Sequence, residues 1–210
     1  ATGSYATKVT AMGYEDVEDD PVFKKGVNLW DNTISNAFSL MRLANGGGIR
    51  INECRRIGAK APSSYISAFY GTKGGYQFSN AQHIFTQNKG EGVTLEDVSD
   101  YVNPMAMTEN KDLPDFKQRV ANHEWQWDSF APIQDYKRLP KEYEDLKNGH
   151  MASHKFLIDD FCRAAYNHTL PTVNAWLAAR FTIPGIVAFE SVKKDGQPID
   201  IPDCGEPPVE

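Results

Sequence analysis

The residues best suited to binding chemistry lie in one short segment, Gly26-Val27-Asn28-Leu29-Trp30-Asp31-Asn32, where amide, carboxylate and indole groups are concentrated. Amides and carboxylates hydrogen-bond to hydroxyl groups in pairs, and an aromatic face can cover the apolar side of a pyranose ring. Asn28, Trp30 and Asn32 are therefore candidate residues for binding a sugar or polyol. A turn in which the Asn and Asp side chains bond to their own backbone is an equal alternative.

Two histidines four residues apart, His150 and His154, form the second candidate group. On one helix face this spacing could ligate zinc. However, Ser153 is a suitable helix N-cap, which would leave His150 in the preceding loop, and no Glu follows His150 to act as a base. A role in contacting a small-molecule substrate is favoured over metal ligation, and a purely structural start of a helix is the default alternative.

The common signatures of nucleotide binding and catalysis are absent from the sequence, which contains no GxGxxG opening a helix, no GxxxxGK[ST], no GxSxG and no HExxH. The two glycine-dense stretches, 46–48 and 71–75, each lie between strand-like runs, where turn geometry accounts for them. The sequence therefore offers no phosphate-binding loop and no metal motif.

Composition limits the classes of partner. The 210 residues are 40% hydrophobic and 24% charged, enough for one domain with a substantial core. A formal charge of −6 argues against broad electrostatic binding of nucleic acid or an anionic membrane, and no apolar run approaches the ~20 residues that cross a bilayer. The cysteines at 54, 162 and 204 form no CxxC pair, which suggests a reducing, cytoplasmic setting. Small molecules or proteins are the expected partners.

The elements that must position these residues begin with short alternating runs, which predict about six strands whose neighbours pair antiparallel. Asn45-Gly46-Gly47-Gly48 is typical of a tight hairpin turn because these residues accept positive φ at low cost. Arg50 to Arg56 places ionisable groups on both faces of a strand, which favours an interface in which charges pair. The predicted strands are Thr7–Tyr14, Thr33–Leu43, Ile49–Ile57, Ser64–Tyr70, Gly75–Ser79 and Gln82–Thr86, with an acidic loop from Glu15 to Asp20.

The periodicity fades from Asn88 to Asn148, a long excursion that should contain short helices and pack Trp125 and Trp127 onto the body. Helical spacing then predicts a helix over His154–Tyr166, with Leu157, Phe161 and Ala165 on its apolar face and Asp159 and Arg163 turned away. A second helix is predicted to begin at a Thr172 cap and to be kinked or split at Pro184. Its apolar stripe comprises Trp176, Leu177, Phe181, Ile183, Ile186 and Val187. A short strand, Pro198–Ile201, follows an Asp195-Gly196 turn, and strands before helices indicate an α+β fold.

Several segments have an order and spacing that is characteristic as a set. They are Thr7-Lys8-Val9-Thr10-Ala11-Met12-Gly13-Tyr14, Lys25-Gly26-Val27-Asn28-Leu29-Trp30-Asp31-Asn32, Arg50-Ile51-Asn52-Glu53-Cys54-Arg55-Arg56-Ile57-Gly58, Tyr70-Gly71-Thr72-Lys73-Gly74, Gly149-His150-Met151-Ala152-Ser153-His154, Phe156 to Ala165, Ile183-Pro184-Gly185-Ile186-Val187-Ala188 and Ile199-Asp200-Ile201-Pro202-Asp203. Together they resemble the C-terminal domain of the glucose-fructose oxidoreductase, inositol dehydrogenase and rhizopine catabolism family (Gfo/Idh/MocA), across nearly the whole chain.

The resemblance implies that residues 1–210 form a single substrate-binding and oligomerisation domain, with an open, mostly antiparallel sheet and helices packed on one face. In that family the other sheet face makes dimer or tetramer contacts, and substrate binds toward a preceding Rossmann domain that holds NAD or NADP. The family's Glu-Lys-Pro motif and catalytic histidine have no counterpart here, and the chain begins at Ala1 rather than Met. We therefore expect no catalytic residue and no cofactor bound by this chain alone, and NAD or NADP in a full-length protein.

The Gly149-His150 loop matches a family position at the substrate cleft. Related NAD-dependent glycosidases carry Gly-His-Gly-Gly there, whereas this chain has Met151 and Ala152 in place of the two later glycines. The resulting expectation is the substrate-binding half of an NAD(P)-dependent sugar or cyclitol dehydrogenase, assembled as a homo-oligomer. The alternatives are a stand-alone binding or assembly module without catalysis and part of an NAD-dependent glycoside hydrolase.

Overall fold

The computed structural model describes residues 3–56, 67–79, 82–99, 138–143 and 153–208. The strands are β1 (Ala6–Glu15), β2 (Ile34–Leu43), β3 (Gly48–Cys54), β4 (Ser67–Gly71), β5 (Gly74–Ser79), β6 (Gln82–Asn88), β7 (Val93–Asp97) and β8 (Ile199–Asp200), and the helices are α1 (Ser153–Tyr166) and α2 (Ala175–Lys193). The chain divides into two compact units, one formed by Ala1–Gly58 with Leu170–Glu210 and the other by Ala59–Thr169. The organisation of residues 1–210 as a single domain stays a prediction.

The first unit is built on a four-stranded antiparallel sheet of order β3-β2-β1-β8. Side chains on one sheet face, including Val9, Ala11 and Met41, are buried in the core with Ala188 of α2. Because successive side chains of a strand alternate between faces, Met12, Phe38 and Leu40 lie on the opposite face and are exposed. The sheet thus has one face covered by a helix and one open face.

The hairpin predicted at Asn45-Gly46-Gly47-Gly48 is confirmed. The Leu43 N–H donates to the Gly47 carbonyl at 2.8 Å, and β2 pairs with β3 from Arg42↔Gly48 to Asn36↔Cys54. Gly46 has a φ of 85°, a left-handed conformation that glycine adopts without steric cost. The Asn45 side chain accepts the Gly47 N–H at 3.1 Å and closes the turn.

Helix α2 differs from the prediction at its start. Its N-cap is Asn174 rather than Thr172, since the Asn174 Oδ1 accepts the Leu177 N–H at 3.1 Å. The helix is not split at Pro184, which is buried within it, and the predicted kink stays a prediction. Ile183 and Val187 of the predicted stripe pack against the core, whereas Phe181 and Ile186 are exposed. By length and composition alone α2 is apolar enough to cross a membrane, and the part of it that is buried packs against β1.

Small residues allow α2 to approach β1 closely. A Cβ on Gly13 would lie 2.5 Å from a Val192 methyl group, so no other residue fits there without movement. Next to it, the fully buried Ser191 accepts the Ala11 N–H at 3.0 Å and donates its hydroxyl to the Gln197 carbonyl at 2.7 Å. One side chain therefore joins the end of α2, strand β1 and the turn into β8.

An arginine on α2 fastens the C-terminal segment to the first unit. The Arg180 guanidinium bonds both carboxylate oxygens of Asp203, at 2.8 and 3.0 Å, and Glu206 at 2.8 Å. Its central carbon lies 4.4 Å from the centre of the Tyr5 ring. Because it is held by two charge-assisted contacts, the pKa of Arg180 is raised and that of Asp203 is lowered.

The second unit contains another antiparallel sheet, of order β4-β5-β6-β7. Three of its strands agree with predicted ones, and β7 falls inside the region that we expected to be a long excursion. Every residue of β7 is exposed, so the strand lacks the half-buried alternation by which strands are found in a sequence. The predicted packing of Trp125 and Trp127 lies outside the described residues.

Helix α1 begins within a residue of its predicted start, but its buried face is not the predicted one. Leu157 and Phe161 are 54% and 64% exposed, and Ala165 is also exposed, whereas Phe156 and Asp159 are buried. Two guanidinium groups account for the buried carboxylate. Arg163 bonds Asp159 at 2.8 Å, and Arg138 contacts Asp159 at 3.3 Å while its guanidinium stacks on the Phe156 ring. Ion pairing therefore allows a charged residue on the buried face of the helix, where hydrophobic spacing alone predicts apolar residues.

The predicted fold class is confirmed: the protein is α+β, with mostly antiparallel sheet. Consecutive strands pair antiparallel within each sheet, as expected. The described strands form two four-stranded sheets, and β3 ends at Cys54 rather than Ile57, which lies outside the described residues.

We predict that Ser191→Ala lowers the free energy of unfolding by roughly 1–3 kcal/mol, because the Ala11 N–H and the Gln197 carbonyl would lose their partner at a buried position. Ser35→Ala is the matched control. The Ser35 hydroxyl is also buried but has no hydrogen-bond partner among the described residues, so its loss should leave stability unchanged or slightly higher. Urea unfolding measures both, and equal losses in the two variants would contradict the role assigned to Ser191.

Candidate functional site

The connection between β1 and β2, residues 16–33, carries most of the candidate binding residues. It is closed at its base by a hydrogen bond from the Asp16 N–H to the Thr33 carbonyl, 2.7 Å long. The connection is thereby held as an extension of the β1–β2 hairpin. Asn28, Trp30 and Asn32 all lie on it.

The side chain of Asn28 organises this connection from within. Its Oδ1 accepts the backbone N–H groups of Trp30 at 3.2 Å and Asn32 at 2.8 Å. Its Nδ2 donates to the carbonyls of Lys24 at 3.1 Å and Asn32 at 2.9 Å. The Asn32 Oδ1 in turn accepts the Ile34 N–H at 2.9 Å. The structure therefore brings Asn28 and Asn32 together, with their amides bonded to the backbone, which is the turn alternative.

Trp30 has a different environment from the two asparagines. It is 79% exposed, and the preceding Leu29 is 90% exposed. The loop that presents it is constrained by Asp31, which has a φ of 51° and accepts the Gly26 N–H at 2.5 Å. Trp30 therefore keeps an accessible aromatic surface on a fixed backbone, the feature that a sugar-stacking role requires. Sugar binding by Asn28, Trp30 and Asn32 stays a prediction.

Of the two candidate histidines, the structure describes His154 and not His150. His150 lies outside the described residues, as does the Gly149-His150 loop as a whole. His154 is exposed in the first turn of α1, within the second unit, whereas Asn28, Trp30 and Asn32 belong to the first. A substrate-binding role for His150 and His154 stays a prediction.

An open depression of about 660 Å³ lies at the start of the same β1–β2 connection, within the first unit. Its lining residues are Tyr14, Asp16, Glu18, Asp19, Asp20, Pro21, Arg55 and Arg56. We call it the Arg56 depression. Sequence reasoning identified the acidic loop and the arginine-bearing strand separately and did not pair them. The opposite charges of the acidic loop and the arginine-bearing strand could have predicted that the two segments pair.

Arg56 is fixed in this depression by partners on several sides. Its Nε donates to both carboxylate oxygens of Asp16, at 3.0 and 3.2 Å, and its Nη2 to Asp20 at 2.5 Å. Its backbone N–H donates to the Asn36 side chain at 2.8 Å, and its guanidinium lies 5.5 Å from the centre of the Phe23 ring. The expected charge pairing of this strand thus occurs within the chain, and Arg55 likewise pairs with Glu53.

These contacts set the charge state of the depression. The hydrogen bonds from Arg56 to Asp20 and Asp16 raise the pKa of the guanidinium. The pKa of Asp20 is lowered, first by the Val22 N–H that bonds its Oδ1 and then by Arg56. Asp16 is almost completely buried, with 1% of its side chain exposed, so its charge is balanced by Arg56 rather than by water.

A second polar cluster, in the second unit, was also missed by sequence reasoning. His83 on β6 is buried, stacks on Phe78 at 4.4 Å between ring centres, and bonds the Tyr76 hydroxyl through its Nδ1 at 2.5 Å. Burial lowers the pKa of His83, although the negative charge of Asp97 opposes this shift. Burial also raises the pKa of Tyr76. Burial therefore favours the neutral form of His83, whose Nδ1 shares one hydrogen bond with the Tyr76 hydroxyl.

Within the described residues, α2 does not follow a strand through a glycine-rich turn, the arrangement that places a helix N-terminus against a pyrophosphate. Within the part of the chain that the structure describes, no three His, Cys, Asp or Glu side chains are grouped so that they could hold a metal ion.

The fold is shared with solved oxidoreductase structures. Levoglucosan dehydrogenase in complex with NADH and levoglucosan matches at a TM-score of 0.57 and 16% identity, over 95% of this chain and 46% of that chain. The same enzyme with NADH and L-sorbose matches at a TM-score of 0.55, over 95% of this chain and 45% of that chain with 16% identity. An oxidoreductase domain protein from Kribbella flavida matches at 0.56 and 15% identity, over 96% of this chain and 46% of that chain. No family model and no curated protein matches the sequence.

These likenesses show the fold. The chain spans less than half the length of each of these three structures. All three structures are described as oxidoreductases, and the two of levoglucosan dehydrogenase are complexes with NADH.

We predict that acid destabilises the protein partly through His83. Because burial lowers the pKa of His83 in the folded state, the unfolded chain binds a proton more readily once the pH falls below about 6.5. The free energy of unfolding should therefore decrease from that pH downward, until the folded state also takes up the proton. Chemical unfolding from pH 7.5 to 5 measures the decrease. His83→Gln keeps a polar side chain without the titration, and an unchanged pH slope in this variant would contradict the assignment.

Proposed function

We propose that this chain is the substrate-binding and oligomerisation part of an NAD(P)-dependent dehydrogenase that acts on sugars or cyclitols. The observation that carries the proposal is the match of 95% of the chain to levoglucosan dehydrogenase, an enzyme solved with both NADH and a sugar. A small polyhydroxylated molecule is the proposed substrate class.

In a full-length protein, this chain would bind the substrate and a separate nucleotide-binding domain would bind the cofactor. The sequence carries no dinucleotide-binding signature, and the matched oxidoreductases are more than twice as long as the region that this chain covers. NAD or NADP would be held elsewhere in a full-length protein. The chain's own residues would bind the substrate and fix its orientation, a contribution that alone can lower a reaction barrier substantially.

The exposed aromatic and polar groups of the β1–β2 connection support the proposed substrate class. Trp30 offers a ring surface, and the connection is locked by Asn28 and Asp31, so little conformational entropy would be lost when a ligand binds. Asn28 and Asn32 would act mainly by shaping the loop, because their amides are bonded to the backbone. His150 and His154 stay separate proposed substrate contacts.

The open face of the first sheet is the proposed surface for a homodimer or homotetramer. Met12, Phe38 and Leu40 are 58%, 46% and 59% exposed on neighbouring strands, and the register places Met12 opposite Phe38. Exposed apolar side chains in one contiguous patch are typical of protein interfaces.

A cytoplasmic setting is proposed as well. The three cysteines are free thiols, which supports it.

We predict that the 210-residue chain binds a polyol without NAD and does not bind NAD. Isothermal titration calorimetry with levoglucosan, L-sorbose and inositol, each in the presence and absence of NAD, measures both. Binding of at least one polyol with no NAD signal is expected. Tight NAD binding by this chain would overturn the division of labour, and absence of binding by all three polyols would count against the substrate class.

We predict that Leu40→Lys converts an oligomer into monomers, because burying a lysine at an apolar interface carries a large desolvation cost. Leu29→Lys is the matched control, since Leu29 is more exposed but lies on the β1–β2 connection rather than the sheet face. Analytical ultracentrifugation at micromolar concentration distinguishes the two. A wild-type monomer, or an equal effect of both substitutions, would overturn the proposed interface.

A further inference from the structure

We propose that the Arg56 depression is a binding site for a neutral, polyhydroxylated ligand, with Arg56 as the central hydrogen-bond donor. This inference rests on the proposed function, which supplies the class of substrate, and it assigns that substrate to residues that the sequence did not identify as a binding site. The described residues that line the depression all belong to the first unit.

The guanidinium of Arg56 is held in position before any ligand binds. Asp16 bonds its Nε with both carboxylate oxygens and Asp20 bonds its Nη2, while the Phe23 ring lies against the guanidinium plane. Its Nη1 has no hydrogen bond to any described residue. Although 29% of the side chain is exposed, its orientation is fixed, so a hydroxyl group would meet a donor that loses little freedom on binding.

The charges that line the depression favour a neutral ligand over an ion. Among the described residues, four carboxylates and two guanidinium groups line it, and Arg56 pairs with both Asp16 and Asp20. A cation would lie close to Arg56, and an anion would lie close to Glu18 and the other carboxylates, so each would meet a like charge. Hydroxyl groups both donate and accept, and can therefore use the arginine and the carboxylates together.

The depression also has the walls and the size that a monosaccharide or cyclitol needs. Tyr14 is 45% exposed and, with Pro21, contributes apolar surface beside the charged groups. An aromatic ring next to planar polar side chains matches a molecule with one apolar face and a rim of hydroxyls. The volume of about 660 Å³ lies within the range of roughly 300–1,000 Å³ found for small-molecule sites.

The hydrogen-bonding capacity of the depression contrasts with that of the Asn28 turn on the same connection. There the amides are bonded to the backbone. In the depression, neither the Glu18 side chain nor the Arg56 Nη1 has a hydrogen-bond partner among the described residues, so both groups can meet a ligand.

Isothermal titration calorimetry of the 210-residue chain with levoglucosan and inositol tests the inference. Arg56→Lys keeps the charge but loses the planar fork, and should weaken binding by about tenfold. Glu18→Gln leaves the Asp16–Arg56 pair intact and should weaken it several-fold. Arg50→Lys is the matched control, because Arg50 is exposed on β3 and does not line the depression. The affinity of this variant for the polyol should stay within about twofold of the wild-type affinity.

The outcomes separate this inference from the proposed function. Weaker binding in Arg56→Lys and Glu18→Gln, with Arg50→Lys unaffected, supports the assignment. Wild-type affinity in the folded Glu18→Gln and Arg56→Lys variants overturns the site while leaving the proposed substrate class standing. Absence of polyol binding by the wild-type chain overturns both. Should Arg56→Lys fail to fold, as judged by circular dichroism, Glu18→Gln decides alone.

Discussion

The close approach of α2 to β1 is the constraint on which the first unit depends. It is possible because Gly13 has no side chain to meet Val192 and because Ala11 is small. At that short distance the Ser191 hydroxyl can satisfy one backbone group on β1 and another in the turn before β8. Burial of apolar surface and hydrogen bonding thus act at the same point, and the sheet face opposite α2 is left open as a consequence.

The same sheet sets where binding chemistry can occur. The long connection between β1 and β2 extends from the end of their hairpin. The hydrogen bond between Asp16 and Thr33 closes the base of this connection. The Asn28 side chain bonds the backbone of that connection, and the Asp16 carboxylate pairs with Arg56. One set of polar residues therefore fixes the backbone of the connection, and another fixes the arginine beside it.

The sequence was most informative where local rules dominate. The Asn45–Gly48 hairpin and the order of the first strands follow from turn chemistry and alternation, and the structure agrees. The errors arose where tertiary partners decide. Asp159 is buried because Arg163 and Arg138 neutralise it, and β7 is a strand because β6 offers it an edge, although none of its residues is buried. The Arg56 depression joins segments 36 to 40 residues apart, so no local pattern could reveal it.

The first unit is discontinuous in the chain: its opening strand pairs with β8, so that Lys8 lies opposite Asp200. During synthesis on a ribosome, β1 and β2 emerge long before the helix and the edge strand that complete their core. The apolar surface of the nascent hairpin therefore stays uncovered until α2 and β8 have also been made. Such long-range closure raises contact order and slows folding.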